Sequence, residues 1–346
     1  MGEKKNTVHS KVKHPAPNSN KKSKKHQKPA SAHCKSRKLT AFKIAASAFG
    51  ALILIFIFIM YGPYKGLSDL YITTAMHTSD HTYLATMLYS DKYIAKVLER
   101  NKITEIPGLS NPIAPSLSDE KSNSTQLIEI KEPGFSGYLL KVSDPSKIDI
   151  LHVDSSDGVL IEDIALQSGA AAAINASGYV DNAHTGTPNG MVIYDHQLVH
   201  ESDREKHSFF AIDDEGILHF GMLSTEEILA QNYRSLIEFG PVLLLNGEMS
   251  EISGYGIGVS ARTAIGQASN GEVLMLVIDG LQPNSLGATL GDVQRIMAQH
   301  GAVNAIALDG GSSSSMFYNG AVINNPFHGD IGRFIPNAIV AYGDRR

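Results

Sequence analysis

The sequence predicts an α+β protein: a mixed, mainly antiparallel sheet flanked by a few helices, preceded by one transmembrane helix and a helical stalk. Three observations carry this. From Gln126 to Arg346 apolar runs of strand length alternate with turn signals. One segment there, "TLGDVQRIMAQHG", carries helix start and stop signals together, and residues 44–61, "IAASAFGALILIFIFIMY", are 18 consecutive residues without a charge.

Taken in chain order, residues 1–43 form a basic tail with 13 of the 30 Lys and Arg and a single acid, Glu3. The remainder holds 17 basic against 34 acidic residues, a formal charge of −17. A basic tail can be a nucleic-acid arm or a nuclear signal, but beside an apolar span the positive-inside rule explains it, and no nucleic-acid partner is expected. Residues 44–62 then read as an anchor, since 18 to 20 apolar residues cross the hydrocarbon core. The alternative, a cleaved signal peptide, calls for an apolar region of roughly 7 to 15 residues and a small-residue cleavage site, to which "YITTA" is a faint match. The expected topology is a single pass in the cell membrane with the tail cytoplasmic and the acidic remainder extracellular. Cys34, the one cysteine, lies in the tail, so no disulfide framework exists.

Residues 63–105 place Leu67, Leu70, Ile72, Leu84, Met87 and Leu88 near helical spacing, which predicts one or two stalk helices. His77 and His81 stand four apart, but no Glu or third ligand accompanies them as in H-E-x-x-H, and they read as ordinary stalk histidines. Residues 106–125, "IPGLSNPIAPSLSDEKSNST" with Gln126 following, have the Pro, Ser and Asn content of a linker. Residues 126–346 are then the working domain. Within it "LIEIKE", "GYLLKVS" and "IDILHV" read as strands, and "FFAIDDEGILHFG" and "ARTAIGQASNGEVLMLVID" as hairpins around Gly-containing turns. "VLIEDIALQSGA" and "TEEILAQ" read as short helices. In "TLGDVQRIMAQHG" Thr289 caps, Asp292 completes a capping box, Leu290, Val293, Ile296 and Met297 share a face, and Gly301 ends the helix. No repeat of 20 to 50 residues is present, which excludes solenoids and propellers.

Four polar residues interrupt apolar strands at their ends: Asn175 after "AAAI", Arg262 before "TAIG", Asp279 after "VLMLVI" and Asp309 after "NAIAL". Strand ends commonly project side chains into one crevice. Asn175 and the Asp279-Gly280 pair also read as plain turns, and Arg262 as the partner of a buried acid. Asp309 is different, because a solvated turn needs neither two glycines nor the four serines 312–315 that follow it. "GGSSSS" lacks the Lys of a P-loop, and the chain has neither a G-x-S-x-G elbow nor an S-x-x-K nucleophile. What remains is a turn rich in N–H groups beside an acid. Successive N–H groups can form an anion nest, and a sugar phosphate combines the anion with hydroxyls that suit the carboxylates.

"NAIALDGGSSSSMFYNG", "ARTAIGQASNGEVLMLVIDG", "FGPVLLLNGE" and, more loosely, "INASGYV" resemble, in their order along the chain, the phosphodiester glycosidase family. That family includes the mammalian uncovering enzyme, which removes N-acetylglucosamine from a phosphodiester, and bacterial exported proteins linked to cell-surface polysaccharide. The resemblance spans about Gly169 to Gly343. Two positions depart: Asn175-Ala176-Ser177-Gly178-Tyr179 stands where the family has Asn-Gly-Gly and aromatic residues, and Ser312 where it has a third glycine. The resemblance implies a membrane-anchored hydrolase of sugar-1-phosphodiesters, with a sugar-phosphate or polysaccharide substrate. The leaving phosphomonoester needs little protonation, so anion donors and a carboxylate near the anomeric carbon suffice. On this expectation Asp309 is nucleophile or base with Asp279 its partner; Arg262 and the N–H groups of Gly310, Gly311 and Ser312 hold phosphate, with Ser313 beside them; and Asn175 and Thr263 bind sugar hydroxyls or the diester. A non-catalytic module that binds wall polymer is the alternative, and a serine hydrolase using Ser313 or Ser314 lacks a positioned histidine. The sequence leaves open whether a cofactor or divalent metal takes part.

Overall fold

The computed structural model describes residues 31–78, 81–113, 125–180, 186–327 and 332–343, with side chains from Thr40 onward. Most of the basic tail and residues 114–124 of the expected linker lie outside them. The chain divides into two units, 1–58 and 59–346. The first carries most of α1 (Ser31–Tyr61), whose stretch Thr40–Tyr61 has a mean hydropathy of 2.5 and no burial inside the protein. Its 22 residues rise about 33 Å, enough to cross a bilayer.

In the second unit, α2 (Lys65–Met76), α3 (Thr82–Thr86) and α4 (Asp91–Arg100) pack Ile72, Ala75, Ala85, Tyr89, Ile94 and Val97 into a small core. There are three helices where one or two were expected. α4 starts where the Ser90 side chain accepts from the Tyr93 N–H. Arg100 grips Asp69 through Nε and Nη2, joining α4 to α2. His77 Nδ1 pairs with the Thr73 carbonyl of its own helix at 2.8 Å.

The helices are not a free stalk. Immediately after α4, Ile103–Thr104 pairs with Glu251–Ile252, and Gly108–Leu109 adds an edge strand beside Gly221 and Met222. Between them the Glu105 carboxylate accepts from Ser208 Oγ and the Val242 N–H, and Ser110 exchanges bonds with the backbone of Phe220. The expected linker therefore does not begin at residue 106. Among the described residues, Pro107, Ser110 and Pro112 lie on a stretch tied to the domain, and Pro is compatible with such edge positions.

The centre is a seven-stranded sheet ordered Glu248–Met249, Val242–Leu245, Ala302–Leu308, Arg262–Ala268, Val273–Ile278, Phe135–Val142 and Thr125–Glu132. Every strand pairing among the described residues is antiparallel. Its middle strands run apolar because both faces are covered. Ile265, Met275, Val277 and Ile306 meet Ile150, Ile174, Phe210, Phe220 and Ile339 of two further sheets on one side. On the other, Ala264, Leu274 and Leu276 meet Leu290, Val293, Ile296 and Met297. The further sheets are five-stranded, containing Ala170–Asn175 beside Asn337–Tyr342, and six-stranded, containing the hairpin His207–Ile212 with Leu218–Leu223. α5 (Ile161–Ser168) covers the five-stranded sheet, α6 (Thr225–Ala230) contributes Ile228 to the cluster over the six-stranded one, and α7 (Leu290–Gln299) lies on the central sheet. The capping box at Thr289 and Asp292 forms as expected.

Candidate functional site

Three central strands bring the candidate residues to one edge. Arg262 pairs with Ile278, the last residue before Asp279, and Thr263 pairs with Leu308, the last before Asp309. Both acids therefore leave the sheet beside the strand that carries the arginine, on neighbours about 4.8 Å away on either side. The glycine after each acid lets the chain close on Ala261. A Cβ on Gly280 would sit 2.3 Å from the Ala261 nitrogen, and one on Gly310 2.7 Å from its carbonyl oxygen. The Asp-Gly pairs are thus set by packing against the central strand.

Arg262 is buried, 7% exposed, and its bonds go to carbonyls: Nε donates to Ala288 at 3.1 Å and Nη2 to Gly258 at 2.7 Å. No carboxylate pairs with it among the described residues, which removes the reading of Arg262 as a satisfied partner for a buried acid. Burial alone pulls its pKa down to about 10, so it stays cationic at neutral pH. Two of its five donors go to neutral carbonyl oxygens, so no carboxylate among the described residues offsets its charge.

Asp279 is also nearly buried. Its Oδ1 accepts from Asn324 Nδ2 at 3.0 Å and from the Asn325 N–H at 2.9 Å. Burial raises its pKa, and those two hydrogen bonds oppose the rise. It therefore holds a proton to higher pH than an ordinary aspartate. Asp309 is half-buried, and its backbone is pinned twice: its N–H donates to the Ala176 carbonyl at 3.0 Å, and its carbonyl accepts from Asn175 Nδ2 at 2.6 Å.

Asn175 and Thr263 do not line the crevice as sugar ligands. They are 0% and 1% exposed, and Thr263 Oγ1 donates to Asn175 Oδ1 at 2.8 Å. The same oxygen accepts from the Ser315 N–H at 3.0 Å. Asn175 is a knot that ties the five-stranded sheet, the central sheet and the serine turn together, and its place at a strand end serves position. Gly311 is corrected too: its N–H donates to the Ala261 carbonyl at 2.8 Å and so turns away from any phosphate. The corresponding bonds of Ser313 and Ser314, at 3.2 and 3.3 Å, close a short helical turn over residues 311–313. The Ser313 hydroxyl is buried and shares a hydrogen bond with the Tyr179 hydroxyl at 3.1 Å.

Sequence reasoning missed Arg333, Asn324 and the role of Tyr179. Arg333 Nη1 donates to Ser312 Oγ at 2.9 Å, and its guanidinium lies 5.1 Å from the Tyr179 ring centroid. Asn324 links Asp279 to the Ser314 carbonyl and the Met316 N–H. Arg333 follows no apolar run, and Asn324 ends only the three-residue run Ala321-Val322-Ile323, which is shorter than the runs that mark the acids. Tyr179 lay within "INASGYV" and was legible only as part of that motif.

The sequence pattern of the phosphodiester glycosidase family matches residues 168–342, half of the chain. The chain belongs to the phosphodiester glycosidase family. Among curated relatives, the mouse N-acetylglucosamine-1-phosphodiester alpha-N-acetylglucosaminidase is 27% identical over 240 residues, 62% of this chain and 46% of that protein. The human protein of the same name is 30% identical over 161 residues, 41% and 31% of the two chains. The aligned region thus spans about half or less of these relatives. Among solved structures, the zebrafish N-acetylglucosamine-1-phosphodiester alpha-N-acetylglucosaminidase catalytic domain, auto-inhibited by its pro-peptide, superposes with a TM-score of 0.57. It is 24% identical and covers 69% of this chain and 88% of its own, which establishes the shared fold. All the strand-end residues described above lie within the stretch matched to the phosphodiester glycosidase family.

Proposed function

We propose that residues 59–346 hydrolyse a sugar-1-phosphodiester at the glycosyl C1–O bond, acting on cell-surface or extracellular polysaccharide or its precursors. The observation that carries this reading is the buried Arg262, with carbonyl partners and, among the described residues, no acid, beside two strands that each end in aspartate. A phosphodiester oxygen supplies the missing negative charge. The N–H groups of Gly310 and Ser312 complete its cradle, and Arg333, through Ser312, adds a second cation at the rim.

With the phosphate anchored there, C1 of the sugar lies toward Asp309, which acts as nucleophile or as base on water. The C1–O bond breaks with its electron pair going to the phosphomonoester. Asp279, with its raised proton affinity, supplies or buffers the proton. The family membership supports the reaction class, and the curated relatives are named for N-acetylglucosamine-1-phosphodiesters, which makes that sugar the first to test. The apolar helix Thr40–Tyr61 serves as a membrane anchor, with the basic tail cytoplasmic and the domain outside. Protease added to intact cells should digest the domain while sparing an N-terminal epitope tag.

The test is a panel of sugar-1-phosphodiesters incubated with the purified full-length protein. Release of free sugar together with a phosphomonoester supports hydrolysis. Tight binding of panel members with no release would leave a polymer-binding module.

A further inference from the structure

The segment leading into Arg262, residues 253–260, is held at both ends by the membrane-proximal helices. At its start, Asn101 at the end of α4 accepts from the Tyr255 N–H at 2.9 Å, and the Ser253 N–H donates to the Lys102 carbonyl at 3.0 Å. At its end, Thr74 Oγ1 on α2 accepts from the Val259 N–H at 3.1 Å. Gly258 is pressed against the same threonine. A Cβ there would lie 2.5 Å from Thr74 Cα and from Oγ1, and its φ of +82° is open to glycine.

The carbonyl of Gly258 and the N–H of Val259 belong to one peptide group. The first accepts from Arg262 Nη2 at 2.7 Å and the second donates to Thr74 at 3.1 Å. A trans peptide is planar, so fixing its N–H fixes the direction of its C=O. Hydrogen bonds in such a chain also polarise one another. The far side of the arginine is held by Ala288, whose backbone is bridged to Ser260 in both directions at 2.9 and 3.2 Å.

We infer that Thr74 is a positioning residue for anion binding: through the Gly258–Val259 peptide it aims the Arg262 guanidinium, which makes the membrane-proximal helix α2 part of the construction of the site. The inference rests on the reading of Arg262 as the phosphate ligand. It explains why the helices are fastened to the domain at this loop.

The test uses the full-length protein in detergent and the variants Thr74→Val, Thr74→Ser and Thr74→Ala. Valine keeps the shape and removes the acceptor, whereas serine keeps it. Thr74→Val should raise KM for an N-acetylglucosamine-1-phosphodiester and the inhibition constant of inorganic phosphate by about 3- to 10-fold, the range for one neutral hydrogen bond, and leave kcat within about twofold. Thr74→Ser should restore wild-type values. Thr74→Ala repeats the comparison should valine prevent folding. A readout that needs no substrate is modification of Arg262 by phenylglyoxal, followed by peptide mass spectrometry; it should be faster in Thr74→Val and unchanged in Thr74→Ser. A wild type that releases no sugar would sink the proposed reaction and leave this readout to decide. Equal labelling of Arg262 in wild type and Thr74→Val overturns the inference whatever the reaction, as does a fall in kcat with KM unchanged.

Discussion

Replacing Arg262 by methionine separates what the arginine does for the fold from what it does for a ligand. In the wild type, burial lowers its pKa from the ordinary arginine value to about 10, equivalent to about 3 kcal/mol against the charged form in the folded state. Below pH 10 the group is protonated in both folded and unfolded protein, so this penalty is fully present at pH 7; it is relieved only as pH rises from about 10 toward the unfolded value. Methionine removes that penalty. It also removes the donors to Gly258 and Ala288. The Ala288 carbonyl keeps the Ser260 N–H, so one buried carbonyl is left unpaired, at a cost of about 1 to 3 kcal/mol. The two effects nearly cancel, and the variant should be as stable as the wild type or up to about 2 kcal/mol more stable. Inorganic phosphate at a hundred times its dissociation constant should stabilise the wild type by about 2.7 kcal/mol and the variant not at all. Urea unfolding of the full-length protein in detergent, with and without phosphate, measures both quantities. A variant that keeps the phosphate effect, or one that loses more than about 4 kcal/mol without ligand, would refute the assignment of Arg262 as an anion site.

Other perturbations follow from the same geometry. Asp309→Asn should fold, since its pinning bonds are made by the backbone, and should lose at least ~10²-fold in turnover, measured as sugar release. Because the pKa of Asp279 is raised in the folded state, the protein should lose stability as pH rises from the unfolded aspartate value through the folded one; Asp279→Asn, which keeps an acceptor for Asn324 and Asn325, should flatten that stretch of the urea-midpoint profile, and an unchanged profile would exclude Asp279 as its source. Asn175→Ala strands the Thr263 hydroxyl, the Ser315 N–H and the Asp309 carbonyl, and should destabilise by about 3 kcal/mol or more; a stable but weak-binding variant would return Asn175 to the list of ligands. A fragment of residues 126–346 should aggregate, whereas one beginning at residue 62 should unfold cooperatively, because only the longer one keeps the Glu105 carboxylate under Val242 and Ser208.

Much of this was legible before any coordinates. Hairpins, α7 with its capping box, and the apolar helix are local features, written as alternation, caps and run length. The edge carrying Arg262, Asp279 and Asp309 was legible because polar residues ending apolar strands are conspicuous. The docking of residues 108–110 was not legible because Pro- and Ser-rich composition describes solubility and turn preference, and cannot reveal that Gly108 and Leu109 pair with Met222 and Gly221, more than a hundred residues away. Asn175, Thr263 and Gly311 stand at or just past the strand ends where the sequence places them, but their polar groups are committed to bonds within the protein. Whether a side chain at a strand end faces a crevice or a neighbouring sheet depends on how the sheets stack, and no spacing rule contains that. Arg333 and Asn324 come from loops joined to the site only by tertiary contact.

The central claim is cleavage of the C1–O bond by a site that grips phosphate, and oxygen labelling addresses it most directly. The full-length protein should be incubated with an N-acetylglucosamine-1-phosphodiester in water enriched in ¹⁸O, and the products separated at early times and weighed by mass spectrometry. The account predicts that the label enters the anomeric hydroxyl of the released sugar and that the phosphomonoester stays unlabelled. Label in the phosphate would mean attack at phosphorus, and would contradict it.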